Sequence, residues 1–219
     1  RILGRVVLNP EFEPVGCLER GENPVAIAEQ NYSNNIRQHV LNSPRIEYWE
    51  TGNEPVVNSL DAMRVLSVYT IRMIQLLQAD GKKPVIGNFS VGTPELPEND
   101  RYALWREYLP ALKACYAAGG YLGLHEYSNN NPNWNTWLQF RYKWVIKFLD
   151  QNNLSGLRIL LTEFGYDNLP DGGKPWKELF NGDADLFVRN LAAYALEVQR
   201  DYPRVEAAFY FTFGDNDMW

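Results

Sequence analysis

Cysteine and histidine are scarce in this sequence. Two cysteines, Cys17 and Cys115, among 219 residues are too few for a disulfide framework and too far apart for a metal knuckle. Both are read as reduced thiols. Two histidines, His39 and His125, exclude a histidine-rich zinc site. No basic run occurs, and the formal net charge is −6, which argues against nucleic acid and anionic membrane surfaces as partners. No apolar stretch approaches the ~20 residues of a membrane span, and no signal peptide stands out. The chain therefore reads as soluble, secreted or cytoplasmic, with the compartment open. Neither Gly-x-Gly-x-x-Gly nor Gly-x-x-x-x-Gly-Lys is present, so dinucleotide and phosphate-cradle readings lack their motif.

Aromatics, by contrast, are plentiful: 14% of the chain, with 7 Trp and 13 Tyr. Such an excess serves a bulky core, and it also serves a sugar cleft, because flat pyranose faces stack on rings. The core reading comes first for most of these residues and the cleft reading for those in loops after strands.

The organising stretch is Glu47-Tyr48-Trp49-Glu50-Thr51-Gly52-Asn53-Glu54-Pro55. Its aromatic, β-favouring residues read as a short strand, closed by Gly52 and Pro55, with Asn53 and Glu54 at its C-terminal tip. Far downstream, Leu157 to Gly165 reads as a second apolar strand that ends in Glu163. Around these two the chain alternates. Apolar strands are expected at Ile2–Leu8, Pro84–Asn88, Tyr121–Tyr127 and Val205–Phe213. Helices are expected at about Val25–Leu41, Leu60–Ala79, Arg101–Ala118, Asn135–Asn152 and Asp183–Arg200. Between them lie an irregular loop to Gly21 and a long loop from Gly165 to Gly182. Strand–helix alternation with apolar strands predicts an α/β fold, a parallel sheet with helices packed outside. The polar residues Asn53, Glu54, Asn88, His125, Tyr127, Glu163 and Asp215 fall at the C-terminal ends of successive strands, where a (β/α)₈ barrel builds its active site.

In this order and spacing, Asn53-Glu54-Pro55, His125-Glu126-Tyr127 and Thr162-Glu163-Phe164-Gly165 resemble the motifs on strands four, six and seven of a large clan of retaining glycoside hydrolases on (β/α)₈ barrels. The resemblance implies that residues 1–219 form one TIM-barrel-type catalytic domain. It would be incomplete, with strands three to eight present and the first two strand–helix units and last helix absent. The remainder would come from a longer polypeptide. Members place an arginine on strand two beside the nucleophile, and this strand assignment leaves no position for it.

On this reading Glu163 is the nucleophile and Glu54 the acid/base. Alternation puts Glu163 on the face of Leu157, Ile159 and Leu161, taken as the barrel interior. Glu54 should have its pKa lifted by the nearby nucleophile and by partial burial. The resemblance also implies that Asn53 hydrogen-bonds a sugar 2-hydroxyl, that Tyr127 donates to the nucleophile beside His125, and that Trp219 floors the first sugar site. Trp134, Trp137 and Trp176 are as suited to packing as to stacking; Asn88 and Asp215 are further candidates for sugar hydroxyls. Glu126 faces the helix layer by alternation. The implied substrate is an oligosaccharide or polysaccharide, and no cofactor or metal is expected. Two other readings stand beside the hydrolase: a non-catalytic carbohydrate-binding barrel fragment, and a Mg²⁺-dependent barrel enzyme with carboxylate ligands.

Overall fold

The computed structural model describes residues 3–8, 11–94, 100–128, 139–166 and 176–210. Six strands alternate with helices: β1 (Leu3–Gly4), α1 (Pro14–Glu19), α2 (Pro24–Asn31), α3 (Arg37–Asn42), β2 (Tyr48–Glu50), α4 (Leu60–Ala79), β3 (Lys83–Phe89), α5 (Ala103–Ala117), β4 (Tyr121–Ser128), α6 (Tyr142–Gln151), β5 (Ile159–Tyr166), α7 (Trp176–Leu179), α8 (Ala184–Arg200) and β6 (Val205–Tyr210). Every strand pair is parallel and the spatial order is the sequence order, β1 to β6. A doubly wound sheet would reverse order partway; this one keeps its direction of travel. It is also curled. Leu3 on β1 and Ala207 and Phe209 on β6 line one cavity of about 330 Å³ together with Tyr48, Tyr121 and Leu160. The chain thus forms an incomplete α/β barrel, with β1 and β6 as its edges among the described residues.

Helix boundaries follow from capping and burial. The Ser59 side chain accepts from Ala62 N–H at 3.1 Å to start α4, and Met63, Leu66, Met73 and Leu77 bury one face of it against the sheet. At roughly 1.5–3 kcal/mol for each fully buried side chain of this kind, that face, not intrinsic propensity, fixes the helix. Asn23 caps α2 and Asp183 caps α8 in the same way. Several expectations shift: among the described residues the Ile2–Leu8 strand is observed only at Leu3–Gly4, and the loop from Gly165 to Gly182 contains α7. The Val25–Leu41 helix is observed as α2 and α3, joined by a π-helical turn at Tyr32–Ile36. Part of the loop before Gly21 is helical as α1, and α6 begins only at Tyr142. Among the described residues no helix is long and apolar enough to cross a membrane.

Two apolar layers sandwich the strands. The larger lies under the helices and includes Ile86, Leu122, Leu124, Leu157, Ile159, Leu161 and Phe164. The smaller is the barrel interior, built from Tyr48, Val85, Tyr121 and Leu160. Leu157, Ile159 and Leu161 therefore face the helices, opposite to the face expected. Glu163 still reaches the interior because β5 slips register against β4 between Leu161 and Glu163, with Leu124 opposite Leu161 and His125 opposite Glu163. The extra residue, Thr162, is a bulge that reverses the alternation.

Glu126 has its partners in the helix layer. Its carboxylate accepts from the backbone N–H groups of Phe140 and Tyr142, each at 2.8 Å, and from the Tyr194 hydroxyl at 2.6 Å. It ties β4 to the start of α6 and to α8. Burial raises its pKa from 4.5 to about 7, against the pull of those hydrogen bonds. Between these two values the folded protein keeps a proton that the unfolded chain has released. Stability from this group is therefore greatest below 4.5 and falls as pH rises through 7. Glu126→Gln should flatten that decline. It should also lower stability by about 1–3 kcal/mol, because an amide N–H₂ now faces a backbone N–H. Thermal melts stepped in pH check both, and an unchanged slope of Tm between these pH values would refute the assignment.

Candidate active site

The strands deliver a compact polar centre at their C-terminal ends, above the small interior layer. β2 stops at Glu50, and residues 51–59 form an irregular turn, so Glu54 stands on a loop past the strand tip. Its backbone is left-handed, with φ 42°, a conformation that non-glycine residues rarely adopt and that clusters at functional sites. Two hydrogen bonds hold the loop: Glu54 N–H donates to Asn88 C=O at 3.0 Å, and the Asn88 amide donates to Gly52 C=O at 2.8 Å. Asn88 is itself left-handed (φ 44°), at a bulge of β3. It is fully buried, and its amide oxygen accepts from Thr162 at 3.1 Å. Both ends of its amide are thus engaged, the nitrogen in bracing the Glu54 loop. Gly123 makes room for it, since a Cβ there would lie 1.8 Å from the Asn88 amide oxygen.

Glu163 is buried, its side chain 9% exposed, whereas the Glu54 side chain is 40% exposed. Both oxygens of Glu163 are engaged. Arg5 donates to Oε1, and the Tyr127 hydroxyl donates to Oε2 at 2.7 Å. Burial first, then the hydrogen bond to and charge of Glu163, push the Tyr127 phenol well up, so it remains a donor. His125 bridges the two acids. Its Nδ1 lies 2.7 Å from Glu54 Oε1 and 3.5 Å from Glu163 Oε2, and its Nε2 lies 3.4 Å from Arg5 Nη2. A guanidinium only donates, so Nε2 accepts and Nδ1–H is left to donate to Glu54. The hydrogen bond from His125 holds the Glu54 pKa below the usual carboxylate range. Burial opposes it, while Ser90 and Arg5 add to it. The expected upward shift of Glu54 is thus reversed, because its contacts to His125 and Ser90 outweigh its partial burial.

Arg5 is the residue that strand numbering missed. It follows β1 and reaches across the curl to Glu163 and to Glu50, so the nucleophile candidate does have an arginine. Burial pulls its pKa down, but the hydrogen bonds and charges of Glu50 and Glu163 outweigh this and raise it. A single cation inside an apolar run, on the strand next to Glu54, was the available signal. Ser90 and Glu50 were likewise unsuspected. Asn53 donates its backbone N–H to Glu11, and its side-chain Oδ1 is buried with no partner. Trp176 stacks on Phe187 of α8, centroids 4.9 Å apart, which covers one ring face. Trp134, Trp137, Asp215 and Trp219 lie outside the described residues. His39 is exposed on α3.

No family model matches the chain, and no curated protein does. Two solved structures are similar to it. An endo-beta-1,4-mannanase from Thermotoga petrophila is matched over 80% of this chain and 37% of its own, with 14% identity and a TM-score of 0.42. A hyperthermostable endo-1,4-beta-D-mannanase from Thermotoga petrophila RKU-1 is matched over 80% and 48%, with 13% identity and a TM-score of 0.41. The chain spans less than half the length of either, and the chemistry is read from its own side chains.

One carboxylate oxygen each of Glu54 and Glu163 and a ring nitrogen of His125 lie within 4.8 Å of one another. Such a set has the donor types of a cation site, but Arg5 already supplies positive charge to Glu163 there. Replacing His125 by Ala removes the main cause of the Glu54 shift, so the Glu54 carboxyl should titrate at higher pH than in the parent. A ¹³C NMR titration of labelled glutamate checks this; a midpoint that stays put or falls would show that His125 does not set it.

Proposed function

We propose that this chain carries the reacting pair of a retaining β-glycoside hydrolase, with Glu163 as nucleophile and Glu54 as acid/base. The observation that supports it most is the approach of the two carboxylates within 4.8 Å. Retaining enzymes hold the pair about 5–5.5 Å apart, and inverting ones leave ~6.5–9.5 Å for a water between them. Unlike environments support the division of roles. Glu163, buried and held at both oxygens, suits in-line attack on an anomeric carbon. Glu54, open to solvent on its loop, suits proton exchange with a leaving group and then with water.

In the first step a Glu163 oxygen bonds to the anomeric carbon, the glycosidic C–O bond breaks, and the Glu54 proton goes to the departing oxygen. In the second, Glu54 carboxylate takes a proton from water as that water attacks the glycosyl ester, and Glu163 is released as carboxylate. The low pKa of Glu54 fits the second role directly. For the first it works against Glu54, which carries its proton only at pH below the usual carboxylate range. Tyr127 and Arg5 orient the nucleophile, and the Asn53 amide is a candidate for a sugar hydroxyl. The substrate class is a β-linked oligosaccharide or polysaccharide. A second reading, a cleft that binds sugar without turnover, draws support from the same depressed Glu54 pKa, since an ionised acid cannot protonate a leaving oxygen.

A panel of aryl β-glycosides separates the two. The hydrolase reading requires turnover, its loss in Glu163→Ala and its return with azide as β-glycosyl azide. Glu54→Ala should lose about 10²–10⁴-fold on poor leaving groups and far less on dinitrophenyl glycosides, which depart without protonation. Sugar binding with no turnover at any pH would leave the second reading standing.

A further inference from the structure

The mechanism above leaves one buried carboxylate of the centre unused. Glu50, the last residue of β2, is 5% exposed and sits under the same guanidinium as Glu163. Arg5 gives Nε to Glu50 Oε2 and Nη2 to Glu50 Oε1, the latter at 3.2 Å, and gives Nη1 to Glu163 Oε1. The guanidinium is a rigid planar fork. Two contacts from one carboxylate fix both its position and its plane, so the remaining nitrogen points in one direction. That direction is the one Glu163 meets.

Arg5 needs such a hold. It follows a strand of only two described residues at the edge of the sheet, and the chain after it is irregular. Its own backbone therefore does little to aim a long side chain. Tyr127, by contrast, stands on an eight-residue strand paired with β5. Of the two groups that grip the nucleophile, the tyrosine is fixed by its strand and the arginine by Glu50. Glu50 also shares the single positive charge, which limits how far Arg5 ties up the Glu163 oxygen that must form a bond.

We infer that Glu50 is a positioning residue of this hydrolase: it clamps Arg5 so that the guanidinium orients Glu163 for attack, without itself touching substrate. This rests on the proposed function and goes beyond it. The probe is the aryl β-glycoside that the parent hydrolyses fastest. Glu50→Gln, which keeps the shape but loses the two-point carboxylate grip, should lower kcat about 10²-fold, the order that a misplaced reacting group costs. KM should move less than about threefold, since no substrate contact is lost. In a Glu163→Ala background, azide replaces the nucleophile and nothing remains for Arg5 to orient. There the added Glu50→Gln change should alter the azide-rescued rate by less than about threefold. Where the glutamine variant does not fold, Glu50→Asp keeps the buried charge but cannot reach both nitrogens, and the same results are expected of it.

Full kcat in the folded variant overturns the inference, and so does an azide-rescued rate that falls as far as the parent rate, because Glu50 would then act on the fold or on binding. Azide rescue that succeeds while Glu50→Gln is silent sinks only this inference. Failure of Glu163→Ala to lose activity, or to be rescued, sinks the hydrolase reading and this inference with it.

Discussion

The site depends on a buried carboxylate held at both oxygens. Glu163 is almost wholly out of water, and an unpaired carboxylate there would carry a desolvation penalty of several kcal/mol. The Arg5 contact and the Tyr127 hydroxyl at 2.7 Å offset it. Arg5 follows β1 and Tyr127 stands on β4, so both contacts hold only while β1, β4 and β5 keep their relative places. Sheet order and curl are thus requirements of the carboxylate as well as consequences of the apolar layers. Arg5 reaches Glu163 because the first and fifth strands approach across the interior, which a flat sheet of the same strands would not permit.

The same dependence explains why regular geometry gives way around the centre. Glu54 and Asn88 both take left-handed backbone, and β3 and β5 both slip register beside them. Each departure costs on the order of 1–3 kcal/mol where a non-glycine residue is strained, yet they support one another. Asn88 braces the Glu54 loop through one carbonyl and one amide, and Thr162, the bulged residue of β5, bonds back to Asn88. One hydrogen-bonded unit thereby sets the heights of both Glu54 and Glu163, and Gly123 leaves the space it occupies.

Much of the fold was legible in the sequence because it rests on periodic burial. The strand–helix alternation, the span of α4 and the opposed faces of β4 follow from spacing that water enforces along the whole chain. Glu54, His125, Tyr127 and Glu163 could be nominated because polar residues at the ends of apolar strands are conspicuous. What escaped was set by tertiary contact. A period-two reading of Leu157, Ile159 and Leu161 chose the wrong face for them, and the bulge at Thr162, which no local pattern announces, brought Glu163 inward regardless. Arg5 was passed over because strand numbering gave it no role, although a cation within Ile2–Leu8 is costly without a buried partner. The direction of the Glu54 shift was misjudged because burial can be guessed from position, whereas His125 and Ser90 meet it only in three dimensions.

The two acids therefore differ by construction. Glu163 is fixed by groups on the sheet, so its orientation is as stiff as the strands. Glu54 hangs on a loop, and its partner His125 also lies 3.5 Å from Glu163. A proton bound to Glu54 would end its role as acceptor from Nδ1–H and free that donor to turn toward Glu163 Oε2. The histidine thus links the protonation of one acid to the hydrogen bonding of the other. The low Glu54 pKa is then a property of the arrangement with Glu163 free, in which one histidine stands within reach of both acids.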